Sequence, residues 1–412
     1  MVNDNSASSQ PWPLPPLAKR TSQLAPSPTL ALDSLAKEMK RKGISVVNFG
    51  AGEPDFDTPA FIKEAACRAL DAGFTKYTAV GGTPELKAAI CQKLRQENGL
   101  DYSPSQVVVT VGAKHALYEL FQVLCEPGDE VILPVPYWVS YEEQIRLAGA
   151  TPVFLPGLPE RGLKIDAAQL RTAISERTRV FLLNSPNNPT GAVYSRAELQ
   201  QLADVLEGAS RCWIVTDEIY ESFIYTGEPH VSLPSLSPAL ARRTIVVNGF
   251  SKRYAMTGWR LGYAAGPQAV IQAVTNLQSQ STSNPTSFAQ AGGVAALTGS
   301  QECVHQMVAQ FRKRRDYLVD ALRTLPGVAC PPPDGAFYAF PQVSAVFGHR
   351  WHGHLIDSSA ALSRLLLEEA HVAVVPGSAF GADQHLRLSY ATDEASLEEG
   401  IRRLRRFWQE IE

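Results

Sequence analysis

VFLLNSPNNPTGAVYSRAELQQLADVLEGASRCWIVTDEIY, residues 180–220, holds two short apolar runs, Val180 to Leu183 and Trp213 to Thr216, on either side of a longer helical pattern. Short β-branched runs spaced by helical segments read as strands joined by helix crossovers. The same rhythm extends outward in both directions, through Val107 to Val111 and Val131 to Leu133 on one side and Thr244 to Val247 on the other. It predicts an α/β lobe built on a mostly parallel sheet. In such sheets ligands sit beyond the carboxyl ends of the strands. The residues that follow each run therefore matter most: Gly112-Ala113-Lys114, Pro136-Tyr137-Trp138, Asn184 to Gly191, Asp217 to Tyr220 and Asn248 to Lys252. They are rich in polar groups, aromatics and glycine.

Ahead of this lobe, residues 1–24 are Pro- and Ser-rich and read as a disordered tail. Leu32, Leu35, Ala36 and Met39 recur at helical spacing between Leu30 and Lys42, then Val46, Val47 and Phe49 run into the glycines Gly50 and Gly52. Residues 25–58 are expected to form an arm that joins a smaller lobe, with a large lobe over 59–290 and the small α+β lobe over 291–412. That last region reads as long helices (Val304 to Leu325, Ala360 to Glu369, Ser396 to Ile411) with short strands at Ala336 to Phe340 and Val372 to Val375. A chain of 412 residues exceeds the size at which one core keeps growing, so two lobes are the natural expectation.

With 45% apolar and 19% charged residues the composition is that of an ordinary globular protein. A formal net charge of -3 supplies no basic field for a nucleic acid partner. The six cysteines form no CxxC pair and read as buried free thiols, which points to a reducing, cytoplasmic setting. No stretch is long and apolar enough for a membrane span or a secretory leader, and the opening residues carry too few arginines for a transit peptide. The three histidines in FGHRWHGHLIDSS, residues 347–359, lack a Cys or carboxylate framework and read as a surface loop, so no metal is expected.

Stabilising a carbanion next to an amine requires a lysine to hold an aldehyde cofactor, an acid for its ring nitrogen, donors for its phenolic oxygen, and cations for phosphate and substrate carboxylate. Every one of these has a candidate at a strand end. Singly each is weak: a loop lysine is usually a solvated charge, and an Asp after a strand is as often a helix cap. Their order along the chain carries the weight. GAGEPDFDTP, KYTAVGGTPELK, PYWVSY, NSPNNPTG, TDEIY, SKRYAMTGWRLGYAAG, GAFY and RLSYA follow one another from residue 50 to residue 391.

This series resembles the class I, fold type I aminotransferases, which depend on pyridoxal phosphate (PLP). Within that group it is similar to the bacterial and plant aspartate aminotransferases related to prephenate aminotransferases. The resemblance implies an α/β fold, with a large lobe on a mostly parallel seven-stranded sheet flanked by helices and a smaller α+β lobe. It implies that Lys252 forms the covalent link to the cofactor and shuttles the proton at the substrate α-carbon. Arg260, eight residues on, would hold the phosphate, where a planar guanidinium suits a two-point contact. Asp217 would face the pyridine nitrogen, Tyr220 and Asn188 the phenolic oxygen, and Trp138 the ring face, although an ordinary core aromatic is the bland reading of Trp138.

Gly112, Ala113 and Lys114 open a helix and would present backbone N–H groups to the phosphate, with Ser251 adding a hydroxyl. Gly249 stands where relatives with an SxSK motif carry a serine, so one phosphate contact is missing. Arg387 and the backbone of Gly52 would take the substrate α-carboxylate, with Trp138 and Asn188 lining the substrate site. Tyr77 would reach the phosphate of a neighbouring subunit, which implies a homodimer with shared sites. Lys114, with Ser27 and Thr29 nearby, would bind a distal carboxylate; its alternative is a lysine that points to solvent. The implied activity transfers an amino group between L-aspartate and 2-oxoglutarate through PLP and pyridoxamine phosphate in a ping-pong cycle. Prephenate is a further acceptor. A PLP-dependent lyase would share Lys252, Asp217 and Arg387, and a DNA-binding regulator would require a leading domain for which the tail is too short.

Overall fold

The computed structural model describes residues 15–24 and 28–412. Ser27 and the first 14 residues of the expected tail lie outside the described residues. Within that expected tail, Lys19–Gln23 is instead a single 3-10 turn.

Helix α1 (Pro28–Arg41) leads into β1 (Val47–Asn48), followed by α2 (Ala60–Asp71) and α3 (Pro84–Asn98). The alternating region then runs β2 (Val107–Thr110), α4 (Ala113–Leu124), β3 (Glu130–Val135), α5 (Ser140–Leu147), β4 (Thr151–Pro156), α6 (Ala167–Ala173), β5 (Thr178–Asn184), α7 (Arg196–Gly208), β6 (Trp213–Asp217), α8 (Pro238–Ala241), β7 (Thr244–Gly249) and β8 (Gly262–Ala265). Helices α9 (Gln268–Ser281), α10 (Ser287–Thr298) and α11 (Glu302–Arg323) come next. The remaining elements are β9 (Tyr338–Ala339), β10 (Arg350–Trp351), β11 (His354–Leu355), α12 (Ser359–Glu368), β12 (Val372–Ala373), β13 (Val375–Pro376), β14 (Leu386–Ser389) and α13 (Glu394–Gln409).

The large sheet has seven strands in the order β2-β8-β7-β6-β5-β3-β4. Only β8 runs against its neighbours; the rest are parallel, as the sequence rhythm predicts. Both faces are covered, which is why the central strands read as unbroken apolar runs. Val180, Leu182, Val215, Ile245 and Val247 pack on one face with residues of α4, α5 and α9. Phe181, Leu183 and Ile214 pack on the other with residues of α6 and α7. Alternate residues of one strand thus serve two different cores. Helix α7 starts where Ser195 caps it: the hydroxyl accepts from Glu198 N at 3.3 Å and the Glu198 carboxylate accepts from Ser195 N at 2.9 Å.

Two sheet strands escape the pattern. β4 is an edge strand bounded by prolines, with Thr151 and Phe154 exposed, so its apolar run is broken. β8 reads GYAA, in which Tyr263 alone favours a strand, and is held by pairing on both sides. The expected boundary at 290/291 falls inside α10 (Ser287–Thr298). That helix packs its Ala296 into the same core as Ile62 of α2, with Leu86 and Ile90 of α3. The change of core comes along α11, where Val304 belongs to the large-lobe core and Met307, Phe311 and Leu318 to the next one. The histidine-rich segment is a small surface hairpin, β10 on β11, turning at His352 and Gly353.

The chain entering from α1 is tied to the C-terminal elements. β1 pairs in parallel with β12, Phe49 N donates to Ala373 O at 2.9 Å, and Phe49 O accepts from Ser389 N at 2.7 Å. The Phe49 ring is fully buried against Gly400 of α13, where a β-carbon would fall 2.3 Å from it. Only glycine leaves room for that ring. This packing fixes Gly50 to Glu53, which line one cavity with residues at the large sheet's strand ends. Phe49→Ala is expected to cost about 3–5 kcal/mol, read as a lower urea midpoint; an unchanged midpoint would show that the arm is not held by this ring.

Candidate active site

β5 and β6 lie in register with Asn184 opposite Asp217, and β7 beside them carries the chain on to Lys252. Their carboxyl ends, the N-terminus of α4 and the 50–53 segment enclose a cavity of about 480 Å³. Of the residues singled out from sequence, Lys252, Asp217, Tyr220, Asn188, Trp138, Ser251, Arg260, Ala113, Lys114, Gly52, Arg387 and Thr29 all line it. They come from segments more than 300 residues apart. Gly112 stands at its wall beside Arg260, and Tyr77 is the exception: it is 90% exposed and lies outside the cavity of its own chain.

The Lys252 amine donates to Gly52 O at 2.5 Å. Burial lowers its pKa to about 8; Glu53 opposes the shift, while Arg387 and Arg260 add to it. A sizeable neutral fraction therefore exists near physiological pH, which a nucleophilic amine requires. Asp217 is buried, and burial raises its carboxyl pKa to about 6. Two donors draw the value back: Tyr141 Oη to Oδ2 at 2.7 Å and Ile219 N to Oδ1 at 3.2 Å. The carboxyl is still mostly ionised at neutral pH, in a place where a cation facing it would gain full Coulomb attraction.

Arg387, also in the lining, is buried, with Nη2 donating to Gly50 O at 2.7 Å and Nη1 to Asn188 Oδ1 at 3.1 Å. Its guanidinium lies 4.5 Å from the Tyr338 ring centre and 5.1 Å from that of Phe380. Among the described residues its Nε has no partner, an unsatisfied donor of the kind an incoming carboxylate would satisfy. Asn188 is set by Asn184, whose Oδ1 accepts from Asn188 N at 2.9 Å and whose Nδ2 donates to Asp217 O at 2.9 Å.

The fit to pyridoxal phosphate rests on the α4 N-terminus. Gly112 has φ 86°, and a β-carbon there would fall 2.7 Å from Arg260 Nη2. The N–H groups of the first turn of α4, a bare glycine and the Arg260 guanidinium beside it make a cradle suited to a phosphate. Arg260 is itself held by Nη1 to Thr257 O at 2.9 Å. Lys114, one residue into the helix, lies 4.9 Å from the Trp138 ring centre, and burial followed by Arg260 lowers its pKa. Of its two readings, the amine over Trp138 in the cavity fits better than one turned to bulk water.

Sequence reasoning missed Tyr141, Tyr338 and Asn184. Tyr338 Oη meets Tyr220 Oη at 2.8 Å, and burial raises both phenols, so each stays a neutral hydroxyl. The tyrosines stood in the strings PYWVSY and GAFY, and Tyr141 follows Trp138 by three residues, one helical turn. GAFY marked the segment of Tyr338 but not its role. Gly112→Val is expected to weaken PLP retention by about 10- to 100-fold through backbone strain and the clash with Arg260, measured by equilibrium dialysis of the reconstituted protein. Unchanged retention would remove the cradle from the account.

The profile of the family described as aminotransferase class I and II matches residues 44–404. An aspartate aminotransferase of Geobacillus stearothermophilus is 51% identical over 95% of this chain and 99% of its own. An aspartate/prephenate aminotransferase of Cereibacter sphaeroides is 47% identical, covering 95% of this chain and 98% of its own. Among solved structures, the aspartate aminotransferase of Rhizobium meliloti superposes with a TM-score of 0.93 at 44% identity, covering 96% of this chain and all of that one. The Thermus thermophilus aspartate aminotransferase with maleate gives 0.90 at 43% identity, over 96% of this chain and all of its own. With the profile spanning most of its length and these relatives covered almost end to end, the chain belongs to the class I and II aminotransferases.

Proposed function

We propose that this chain transfers the amino group of L-aspartate to 2-oxoglutarate, giving oxaloacetate and L-glutamate in two half-reactions at one site. The observation that carries this reading is that two cationic side chains from different elements line one cavity, Arg387 of β14 and Lys114 of α4, the latter over Trp138. Two separated cations suit a dicarboxylate. The relatives named for aspartate support it.

Enzymes of this family use pyridoxal phosphate, which when bound supplies an aldehyde for the lysine and a ring that takes up the electrons of a carbanion at the substrate α-carbon. Lys252, neutral in part, is the residue proposed to hold it and then to move the proton at the substrate α-carbon. Asp217 holds its charge toward the ring nitrogen, with Tyr141 and Ile219 N fixing the carboxyl. Tyr220 and Asn188 donate toward the phenolic oxygen. Ala113 N, Lys114 N, Ser251 and Arg260 would hold the phosphate, with Gly112 leaving the room beside Arg260, and Trp138 would cover the ring. Arg387 and Gly52 orient the α-carboxylate, which places the α-carbon within reach of the Lys252 amine.

Prephenate is a second acceptor that the same two cations suit, and a relative carries that name. We propose further that the working unit is a homodimer. An aromatic as exposed as Tyr77, with Leu70 and Phe74 also exposed, suits a surface that a second copy covers. The six cysteines are all free, four of them buried as expected, but Cys67 is exposed and Cys303 half-buried; no helix among the described residues is long and apolar enough to cross a membrane, and a reducing cytoplasm fits the thiols. The 25–58 arm is taken to work with the smaller lobe, as the β1–β12 pairing suggests.

Aspartate added to the PLP-loaded protein is expected to remove its visible absorbance, and 2-oxoglutarate to restore it, with oxaloacetate and glutamate as products. A band indifferent to aspartate, or release of a substrate fragment, contradicts the transfer reading. Lys114→Met is expected to raise KM for aspartate and 2-oxoglutarate by about 10- to 100-fold while alanine turnover stays level; equal losses for both donors would contradict a distal-carboxylate role.

A further inference from the structure

Asp217 and Lys252 are each followed by a residue that turns away from the cavity into one buried ion network. In the turn after β6, Asp217 and Tyr220 line the cavity, while Glu218 and Glu221 take the other side. Glu221 pairs with Lys93 of α3 and accepts from Asn98 Nδ2 at 2.8 Å. Lys93 also donates to Asn98 Oδ1 at 2.8 Å. Arg253, next to Lys252, pairs with Glu97, its Nη2 donating to Oε1 at 2.8 Å, and stands 4.0 Å from Glu221. The C-terminal part of α3 is therefore a strut for both chemistry-bearing segments.

The charges in this network pair unevenly. Arg253 has Glu97, and Lys93 has Glu221, whose carboxyl is held at about 2: burial alone would raise it, and Lys93, His230 and Arg253 outweigh that. Glu218 remains. It is almost fully buried and accepts from Ser232 Oγ at 2.6 Å and Asn98 Nδ2 at 3.5 Å, with His230 Nε2 at 2.9 Å. Among the described residues the imidazole is its one hydrogen-bond partner able to carry a positive charge. Glu218, Glu221 and His230 come within 4.8 Å of one another, but these lysine, arginine, asparagine and serine donors already occupy the carboxylates, so the cluster reads as a closed ion network.

We propose that Glu218, Glu221 and Arg253 are positioning residues for Asp217 and Lys252, and that the proton on His230 neutralises Glu218 and so sets the field in which Asp217 works. An unneutralised carboxylate one residue from Asp217 disfavours its ionised form, the form that faces the ring nitrogen. The groups facing His230 are Glu218 and Glu221 from the β6 turn and Lys93 from α3; Tyr102 faces Glu218, and Tyr263 and Arg253 face Glu221. Burial opposes the imidazolium, yet Glu218 and Glu221 keep His230 above the ordinary imidazole range. Its contribution to stability is then complete below that ordinary range and is lost as pH rises through the raised value. The proposal rests on the reading of Asp217 and Lys252 given above.

The test uses the PLP-loaded wild type with His230→Asn and the double variant Glu218→Gln/His230→Asn, titrating the visible band with pH. In H230N the uncancelled carboxylate is expected to move the band's midpoint up by about half to one pH unit. kcat should fall with KM for aspartate little changed, because the substrate cations are untouched. Removing the carboxylate as well is expected to bring the midpoint back toward wild type. A purely structural role predicts the reverse, with the double variant worse than the single one, and that result, or an unshifted H230N midpoint, would overturn the proposal. Should the double variant not fold, thermal unfolding decides: wild type should lose Tm from mildly acidic to mildly alkaline pH and H230N should not, and parallel curves would overturn it. A wild type without any band would overturn the reading of Lys252, whereas a normal wild-type band with an unshifted variant fails this inference alone.

Discussion

An amine and a carboxyl stand stripped of water at the ends of two adjacent strands, and burial works against the charge on each. Lys252 is driven toward neutrality and Asp217 toward protonation by the same exclusion of solvent. The rest of the site makes that place usable. Tyr141 and the Ile219 N–H return part of the stabilisation that Asp217 loses, so that it still carries charge at neutral pH. Arg387 and Arg260 hold the field positive around Lys252, so that its amine still sheds its proton. A site open to water would leave the lysine charged and unreactive.

The fold supplies this through register and through one crossing segment. Asn184 and Asp217 stand level on β5 and β6, which lets one amide tie the strand end to the Asn188 loop. The 50–53 segment, fixed by Phe49 against α13, presents Gly50 O to Arg387 and Gly52 O to Lys252. The arm, the large sheet and the C-terminal elements therefore meet at the same few atoms. A disturbance of the Phe49 packing should reach the chemistry without touching any residue that performs it.

Much of this was legible in the sequence because two-sided burial writes itself as unbroken apolar runs. β5, β6 and β7 were readable for that reason, and the polar strings after them located Asp217 and Lys252. β4 and β8 were not, since an edge strand alternates and GYAA is short, with Tyr263 its single bulky residue. Contacts across long separations left no local mark: Tyr141 meets Asp217 across 76 positions, Tyr220 meets Tyr338 across 118, and Lys93 meets Glu221 across 128. The 290/291 boundary falls inside α10, since a helix that closes one core and leads to the next has no change of pattern at its middle. For Tyr77 the sequence named a role that a single chain cannot display.

The most direct measurement is borohydride reduction of the PLP-loaded protein, followed by proteolysis and mass spectrometry of the peptides. The account predicts a single reduced adduct, on Lys252 in the peptide around SKRYAM. An adduct on Lys114 or on any other lysine, or none in a protein that has bound the cofactor, would contradict it.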